Sequence, residues 1–134
     1  MQKHEAINLI KTFLTANEFP LDDFNSDNNY FQTMVDEEII AFNFCDEILT
    51  CSALIYQFHK DPKPQILTAI DEEAKAETRG EIKYEADNKT LYILQKFTES
   101  IDEAEFIESI NTLAEAGKDW RIEVLDRVAN KANG

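Results

Sequence analysis

The stretch EEIIAFNFCDEILTCSALIYQF, residues 37–58, predicts a β-hairpin made of two strands. Asp46-Glu47 supplies the turn signal, and the second strand of the hairpin runs from Ile48 to about Phe58. This second strand is apolar on both faces, and strict alternation places Leu54 and Tyr56 on the same face. Both faces of the strand are therefore expected to be covered, one by a helix and the other by something else.

The segments on either side of the hairpin complete an α+β pattern. A strand and an amphipathic helix precede it, and a short helix, two further strands and a long helix follow. The expected fold is one domain, residues 1–134, with an antiparallel sheet of about five strands in the order α-β-β-β-α-β-β-α. In chain order, the predicted elements are helix Lys3–Asn17, strands Tyr30–Val35, Glu38–Phe44 and Ile48–Phe58, a helix from Pro64 towards Gly80, strands Glu81–Ala86 and Thr90–Phe97, and helix Ser100–Val128.

The last helix carries the longest apolar stripe of the chain. Ser100 and Glu103 have the spacing of a capping box and mark its expected start. Gly117 lies on the apolar side without shifting the phase of the stripe, so it is expected to be a point of close packing. The stripe consists of Phe106, Ile107, Ile110, Leu113, Ala114, Trp120, Val124, Leu125 and Val128.

The charge of the chain restricts the kinds of partner that it can bind. Its 134 residues include 27 acidic and 13 basic ones, which gives a net charge of −14. Such a chain repels polyanions, so binding to nucleic acid and to anionic membranes is disfavoured. A basic or amphipathic polypeptide is the partner that this charge favours, unless the acidity serves only to keep the protein soluble.

Neither a membrane span nor a signal peptide is expected. No run of 18 apolar residues occurs, and the opening MQKHEAINLIKTFLTANEF mixes charged and apolar residues. Cys45 and Cys51 lie in apolar strands without a second pair that would complete a zinc site. Reduced thiols and a cytoplasmic location are therefore expected.

The residue types that perform catalysis or hold cofactors are scattered along the chain. His4 and His59 have no metal-binding spacing, and the three glycines are too far apart for a phosphate-binding loop. A Cys–His pair formed by Cys45 or Cys51 with His59 would need an electropositive setting, whereas this region is acidic. Acidic runs such as Asp36-Glu37-Glu38 are expected to be solvated. We therefore expect no catalytic residue, no metal and no cofactor.

One segment partly matches a calcium-binding loop. Asp23, Asn25 and Asp27 stand at its first, third and fifth positions, but Asn28 replaces the glycine of the sixth and Met34 the glutamate of the twelfth. A turn in which side chains bond their own backbone is the favoured interpretation.

The strands and the middle of the chain carry more large apolar side chains than three helices are expected to cover. Two interpretations remain open. Either all of these side chains pack into one monomeric core, or some form a self-association surface and a groove for an unfolded partner.

Four segments together resemble the type III secretion chaperones of the Tir-chaperone family. They are HEAINLIKTFLTANEFPLDDFNSDNNY at residues 4–30, the hairpin of residues 37–58, GEIKYEADNKTLYILQKF at residues 80–97, and the helix that begins SIDEAEF and carries Trp120. The segment PKPQILTAIDEEAKAETRG between them is shorter and poorer in Leu and Gly than in many members of that family.

The resemblance implies a cytosolic homodimer without ATPase activity. Such a dimer binds the N-terminal region of a cognate secreted effector in extended form and keeps it secretion-competent. The implied dimer-interface residues are Leu67, Ile70, Ile82 and Tyr84, and the implied effector-binding residues are Phe31, Met34, Ile40, Phe42, Leu54 and Tyr56.

Two alternatives compete with this interpretation. The first is a stand-alone protein-interaction or regulatory domain of the same fold that binds a folded protein and has no role in secretion. The second is a small enzyme, which the lack of convergent polar groups disfavours.

Overall fold

The computed structural model describes residues 1–22 and 24–133 and has the predicted α+β order. Its elements are α1 Lys3–Ala16, β1 Tyr30–Val35, β2 Glu38–Cys45, β3 Ile48–Gln57, α2 Pro64–Ala74, β4 Glu81–Glu85, β5 Thr90–Phe97, α3 Glu103–Asp119, a π-helical turn Trp120–Val124 and α4 Leu125–Asn133. The strands form one antiparallel sheet in the order β1-β2-β3-β5-β4. Asp23, the first residue of the partial calcium-loop match, lies outside the described residues. Every described helix is too short or too polar to cross a membrane.

Two tight turns fix the register of the first three strands. Asp36-Glu37 joins β1 to β2, and Asp46-Glu47 joins β2 to β3 as predicted. All four turn residues have positive φ, between 49° and 71°. Positive φ at both central residues is the type I′ geometry, whose twist matches that of the flanking strands.

The helices α1 and α3 pack on one face of the sheet. The ring of Phe42 on β2 lies 5.8 Å from that of Phe13 on α1 and 6.3 Å from that of Phe106 on α3. Alternate residues of the central strands point towards these helices, and most of them are buried. The largest of these buried strand residues are Ile40, Phe42, Leu49, Ile55, Leu91 and Ile93.

Gly117 is the point of close packing that the sequence predicted. A Cβ atom at Gly117 would lie 3.1 Å from the Cβ of Ala53 on β3. The predicted capping box, however, is wrong. The helix begins at Glu103, and its N-cap is Asp102, whose carboxylate accepts a hydrogen bond from the Glu105 N–H at 3.4 Å.

The long C-terminal helix contains a π-helical turn that its periodicity did not predict. The N–H of Leu125 donates to the C=O of Trp120, five residues earlier. The wider turn keeps both Trp120 and Val124 buried, while Ile122 between them is 56% exposed.

Glu77 joins the α2–β4 connection to this π-helical turn. Its carboxylate accepts hydrogen bonds from the Trp120 Nε1 at 2.9 Å and from the Arg79 side chain, while Arg79 also donates to Asp119 at 2.6 Å. The hydrogen bonds from the Arg79 side chain and backbone and from Trp120 lower the pKa of Glu77 to about 2, against the opposing effect of burial.

Glu38 forms an ion pair with Arg121 of the π-helical turn. It is only 2% exposed, and both of its carboxylate oxygens accept hydrogen bonds from the Arg121 guanidinium. The expectation of a solvated acidic run is therefore wrong for Glu38. Pairing with Val35 places it on the helix-covered side of β2, where Arg121 compensates its charge.

Replacing Gly117 by Val is expected to destabilise the fold by about 1–3 kcal/mol, because the added methyl groups overpack the contact with Ala53. Urea unfolding measures the change. Glu115→Val is the matched control, since Glu115 is exposed on the same helix. Equal stability of the two variants would contradict the close contact.

The Glu77 ion pair predicts a specific pH dependence of stability. Its folded pKa of about 2 lies below the ordinary value of 4.5, so its contribution is complete above pH 4.5 and is lost as the pH falls towards 2. About 2 kcal/mol of unfolding free energy should disappear between roughly pH 4.5 and pH 3 through this group. Glu77→Gln should lack this part of the decline in urea unfolding curves, and exposed Glu115→Gln should keep it. Identical slopes for the wild type and Glu77→Gln would exclude this role.

Candidate partner-binding surfaces

Within residues 1–22 and 24–133, no helix packs against one face of the sheet. Tyr30 is 55% exposed and Met34 is 54% exposed on this uncovered face, and Ile39 and Leu54 beside them are half-buried. Each of the four has an apolar body that a partner could bury. The expected second cover of β3 is therefore not supplied by the described part of this chain.

The uncovered face forms a trough with a volume of about 690 Å³. Its floor lies on β2 and β3, where side chains are small, and its walls are larger side chains of β1 and β5. The Tyr92 hydroxyl in one wall donates to Glu85 at 2.9 Å, and burial together with this bond raises the pKa of Tyr92 to about 12. The floor residues are Ala41, Asn43, Thr50 and Ser52.

Leu54 and Tyr56 lie on opposite sides of the sheet, contrary to the prediction. Leu54 pairs with Tyr92, but Tyr56 pairs with Leu91, so one extra residue of β3 is inserted between these pairs. This β-bulge reverses the alternation, because the buried Ile55 and the following Tyr56 both turn towards the helices. Leu54 belongs to the trough, and Tyr56 does not.

Ile40 and Phe42 belong to the core and are not available to a partner in this chain. Both are buried on the helix-covered side of β2. Alternation predicted that they share a face, but it does not say which face of the strand receives the helices. Of the six implied effector-binding residues, Met34 and Leu54 lie on the uncovered face.

The edge of the sheet at β1 is open to another strand. The Phe44 N–H donates to the Asn29 C=O at 2.8 Å, so these two opposed residues form a hydrogen-bonded pair. Hydrogen-bonded and non-hydrogen-bonded pairs alternate along an antiparallel ladder, so every second residue of β1 is not bonded to β2. By this alternation, the backbone N–H and C=O groups of Tyr30, Gln32 and Met34 point outward. The sequence of β1 is YFQTMV, without a charged residue, whereas β4 at the other edge alternates charges in EIKYE. Natural sheets commonly protect their edges with charge, so β1 is the unprotected edge.

Phe31 lies on the other side of this edge strand. Its ring packs edge-on against that of Phe24 at 5.2 Å and stacks with that of Phe42 at 6.4 Å. A strand added to β1 would therefore find exposed apolar side chains on one side and the half-buried ring of Phe31 on the other.

The implied dimer residues do not all lie at the surface. Ile70 is buried in the core, while Leu67, Ile82 and Tyr84 are half-buried on α2 and β4. The Tyr84 hydroxyl donates to Asp61 at 2.7 Å, and burial together with this bond raises the pKa of Tyr84 to about 12. Ile70 is therefore removed from the candidate interface.

Sequence reasoning missed an apolar groove beside the π-helical turn. Exposed Ile122 lies there with Tyr56, Ile66 and Leu125 around a volume of about 390 Å³. The position of Ile122 off the apolar stripe was the signal that could have indicated its exposure.

Residues 1–22 and 24–133 contain no group of three His, Cys, Asp or Glu side chains placed to bind a metal ion. Cys45 is exposed and Cys51 is buried, and burial raises the pKa of the Cys51 thiol well above its ordinary value. A buried thiol in apolar surroundings is a weak nucleophile.

Comparison with solved structures finds similar chains in three protein complexes. A chain of the ExsC–ExsE complex superposes with a TM-score of 0.68 at 9% identity, covering 87% of this chain and 91% of that one. A chain of the HopA1–SchA chaperone–effector complex gives 0.64 at 17% identity, with coverages of 89% and 94%. A chain of the heterodimeric ExoU–SpcU complex from the type III secretion system of Pseudomonas aeruginosa gives 0.59 at 12% identity, with coverages of 88% and 98%.

At the sequence level, no family model and no curated protein matches the chain. The identities to the solved structures are low, but the superpositions extend over nearly the whole of each chain. The chain therefore has the fold found in these chaperone–effector and type III secretion complexes, which confirms at the level of the fold its resemblance to the type III secretion chaperones.

Proposed function

We propose that this protein is a cytoplasmic chaperone that binds the N-terminal region of a type III secretion effector in extended form and keeps it secretion-competent. The observation that carries the proposal is the open, uncharged β1 edge beside an uncovered sheet face. The fold shared with a chaperone–effector complex supports it. The protein acts by binding and not as an enzyme.

Strand addition at β1 explains why the partner must be unfolded. Three outward-facing residues of β1 offer backbone N–H and C=O groups, which only a segment with free backbone groups can pair with. A folded domain has already used most of its backbone groups internally. The β1 edge therefore favours an extended segment over the folded partner that a regulatory domain would bind.

The energetics of such a complex are those of coupled ordering and binding. An extended segment that wraps a protein buries on the order of 1,000–3,000 Å², offset by the cost of ordering the segment. The net charge of −14 speeds encounter with segments rich in Lys and Arg more than it raises final affinity.

Gln32→Pro is expected to weaken binding of the N-terminal segment of the protein encoded beside this gene by about tenfold. Proline removes an outward N–H of β1 without removing a β1–β2 hydrogen bond, a substitution that edge strands tolerate. Gln32→Ala is the matched control, because it removes the same side chain and keeps the N–H. Calorimetric titration measures both, and equal affinities would exclude strand addition at β1.

Limited proteolysis of the same complex separates the chaperone from the regulatory alternative. A chaperone protects the N-terminal tail of its partner and leaves the rest of the partner accessible. Protection of a globular domain with cleavage of the tail would instead support a regulatory domain that binds a folded protein.

The proposal includes a homodimer formed through the exposed parts of Leu67, Ile82 and Tyr84 on α2 and β4. Sedimentation should give a particle of twice the 15.4 kDa chain mass at micromolar concentration. Leu67→Asp should shift it to the monomer, because the charge would be desolvated in the interface. Thr68→Asp, at an exposed neighbouring position on α2, is the control that should remain dimeric. A monomeric wild type would contradict the dimer.

A further inference from the structure

The trough on the uncovered face runs along the strands, from one sheet end to the other. Two rows of side chains cross its floor, Asn43 beside Thr50 and Ala41 beside Ser52. Ile39 and Leu54 continue these rows towards the far end. The β2 strand beneath it has eight residues, so an extended segment of about the same number spans the trough.

Acidic turns stand at both ends of the trough. Asp46-Glu47, which joins the two floor strands, lies at one end, and Asp36-Glu37 lies at the other, next to Ile39. All four acidic residues are exposed. Both ends therefore present negative charge to anything that lies along the floor.

The charges on the wall of the trough balance each other. Lys83 and Lys96 point to the same face as Glu81 and Glu85, as the strand pairing shows. Glu85 also accepts the Tyr92 hydroxyl. The N-terminal ammonium of Met1 donates to the Glu47 C=O at 3.1 Å and offsets one charge of that turn, so the four acidic residues of the two turns keep a net negative charge.

We propose that the trough binds a second stretch of the partner, an extended segment with small and apolar residues in its middle and Lys or Arg at both ends. This inference rests on the proposed function and specifies the chemistry of the partner. The small floor side chains leave room for the partner's own side chains, and Ile39 and Leu54 provide the apolar contact. The acidic ends pair with basic residues and repel acidic peptides, nucleic acid and anionic lipid.

Continuity with the β1 edge supports the same occupant. Tyr30 and Gln32 line the trough with their side chains and present their backbone groups to the open edge. A partner that pairs with β1 therefore already lies beside the trough, and a turn of its chain brings the next segment onto the floor. Binding of the second stretch then gains from a high effective concentration.

The test uses two fluorescent peptides of about ten residues, each with alternating Leu and Ser between two pairs of charged residues. The charged residues are Lys in one peptide and Glu in the other. At low ionic strength the Lys peptide should bind the full-length protein about tenfold more tightly, and the difference should shrink at high salt. Absence of saturable binding by the Lys peptide, or equal binding of both peptides, would overturn the proposal.

Two sets of variants locate the binding. Asp36→Asn, Glu37→Gly, Asp46→Asn and Glu47→Gly together remove the four turn charges and introduce the residue types that type I′ turns prefer. Their combination should weaken the Lys peptide about fivefold. The control combines Glu72→Gln, Glu108→Gln, Glu115→Gln and Glu123→Gln at exposed positions away from the trough, with the same change in net charge. If both sets weaken the Lys peptide equally, its affinity depends only on the overall charge of the protein. That result would overturn the assignment of the binding site to the trough.

Ser52→Trp fills the floor without altering charge and should abolish binding of the Lys peptide, with circular dichroism showing that the fold is kept. Failure of this inference is distinguishable from failure of the proposed function. If Ser52→Trp keeps full affinity for the natural partner while Gln32→Pro loses it, strand addition at β1 stands and the trough proposal falls. If neither variant affects the natural partner, both proposals fall.

Discussion

The helices of this protein pack on one face of the sheet. The partner binding proposed for the protein depends on this arrangement, because it leaves the opposite face uncovered. The apolar stripes of α1 and α3 both pack against the same side of β2 and β3. The described helices do not cover the other side of the sheet, where Met34 is exposed and Leu54 is half-buried. This face has small side chains at its centre and apolar side chains at its margins, and it remains open to a partner.

The C-terminal helix holds this arrangement through three contacts of different kinds. Gly117 allows its backbone to approach β3, Arg121 neutralises the buried Glu38, and Trp120 donates to Glu77. The last two contacts originate in the π-helical turn, which contains both Trp120 and Arg121. Because the helix layer is fixed in this way, the β1 edge and the trough are formed before any partner binds. The conformational entropy lost on binding is then that of the partner alone.

Sequence reasoning identified the fold more completely than the site. The hairpin turn at Asp46-Glu47 and the glycine contact were predicted, since each follows from local chemistry, whereas Asp36-Glu37 was expected only as part of a solvated acidic run. Of the candidate surface residues, Ile40, Phe42 and Ile70 proved to be core. Alternation separates Ile40 and Phe42 on β2 from the smaller Ala41 and Asn43, and this difference in size was the signal for the buried face.

The sequence by itself determined the order of the elements, the hairpin registers and the amphipathic helices, because these depend on neighbouring residues and on side-chain periodicity. Only the tertiary structure decided the rest. One inserted residue in β3 sent Tyr56 to the opposite side from Leu54, and the choice of helix-covered face buried Glu38 opposite Arg121. Both outcomes depend on contacts between segments far apart in the chain, and local sequence patterns do not indicate such contacts.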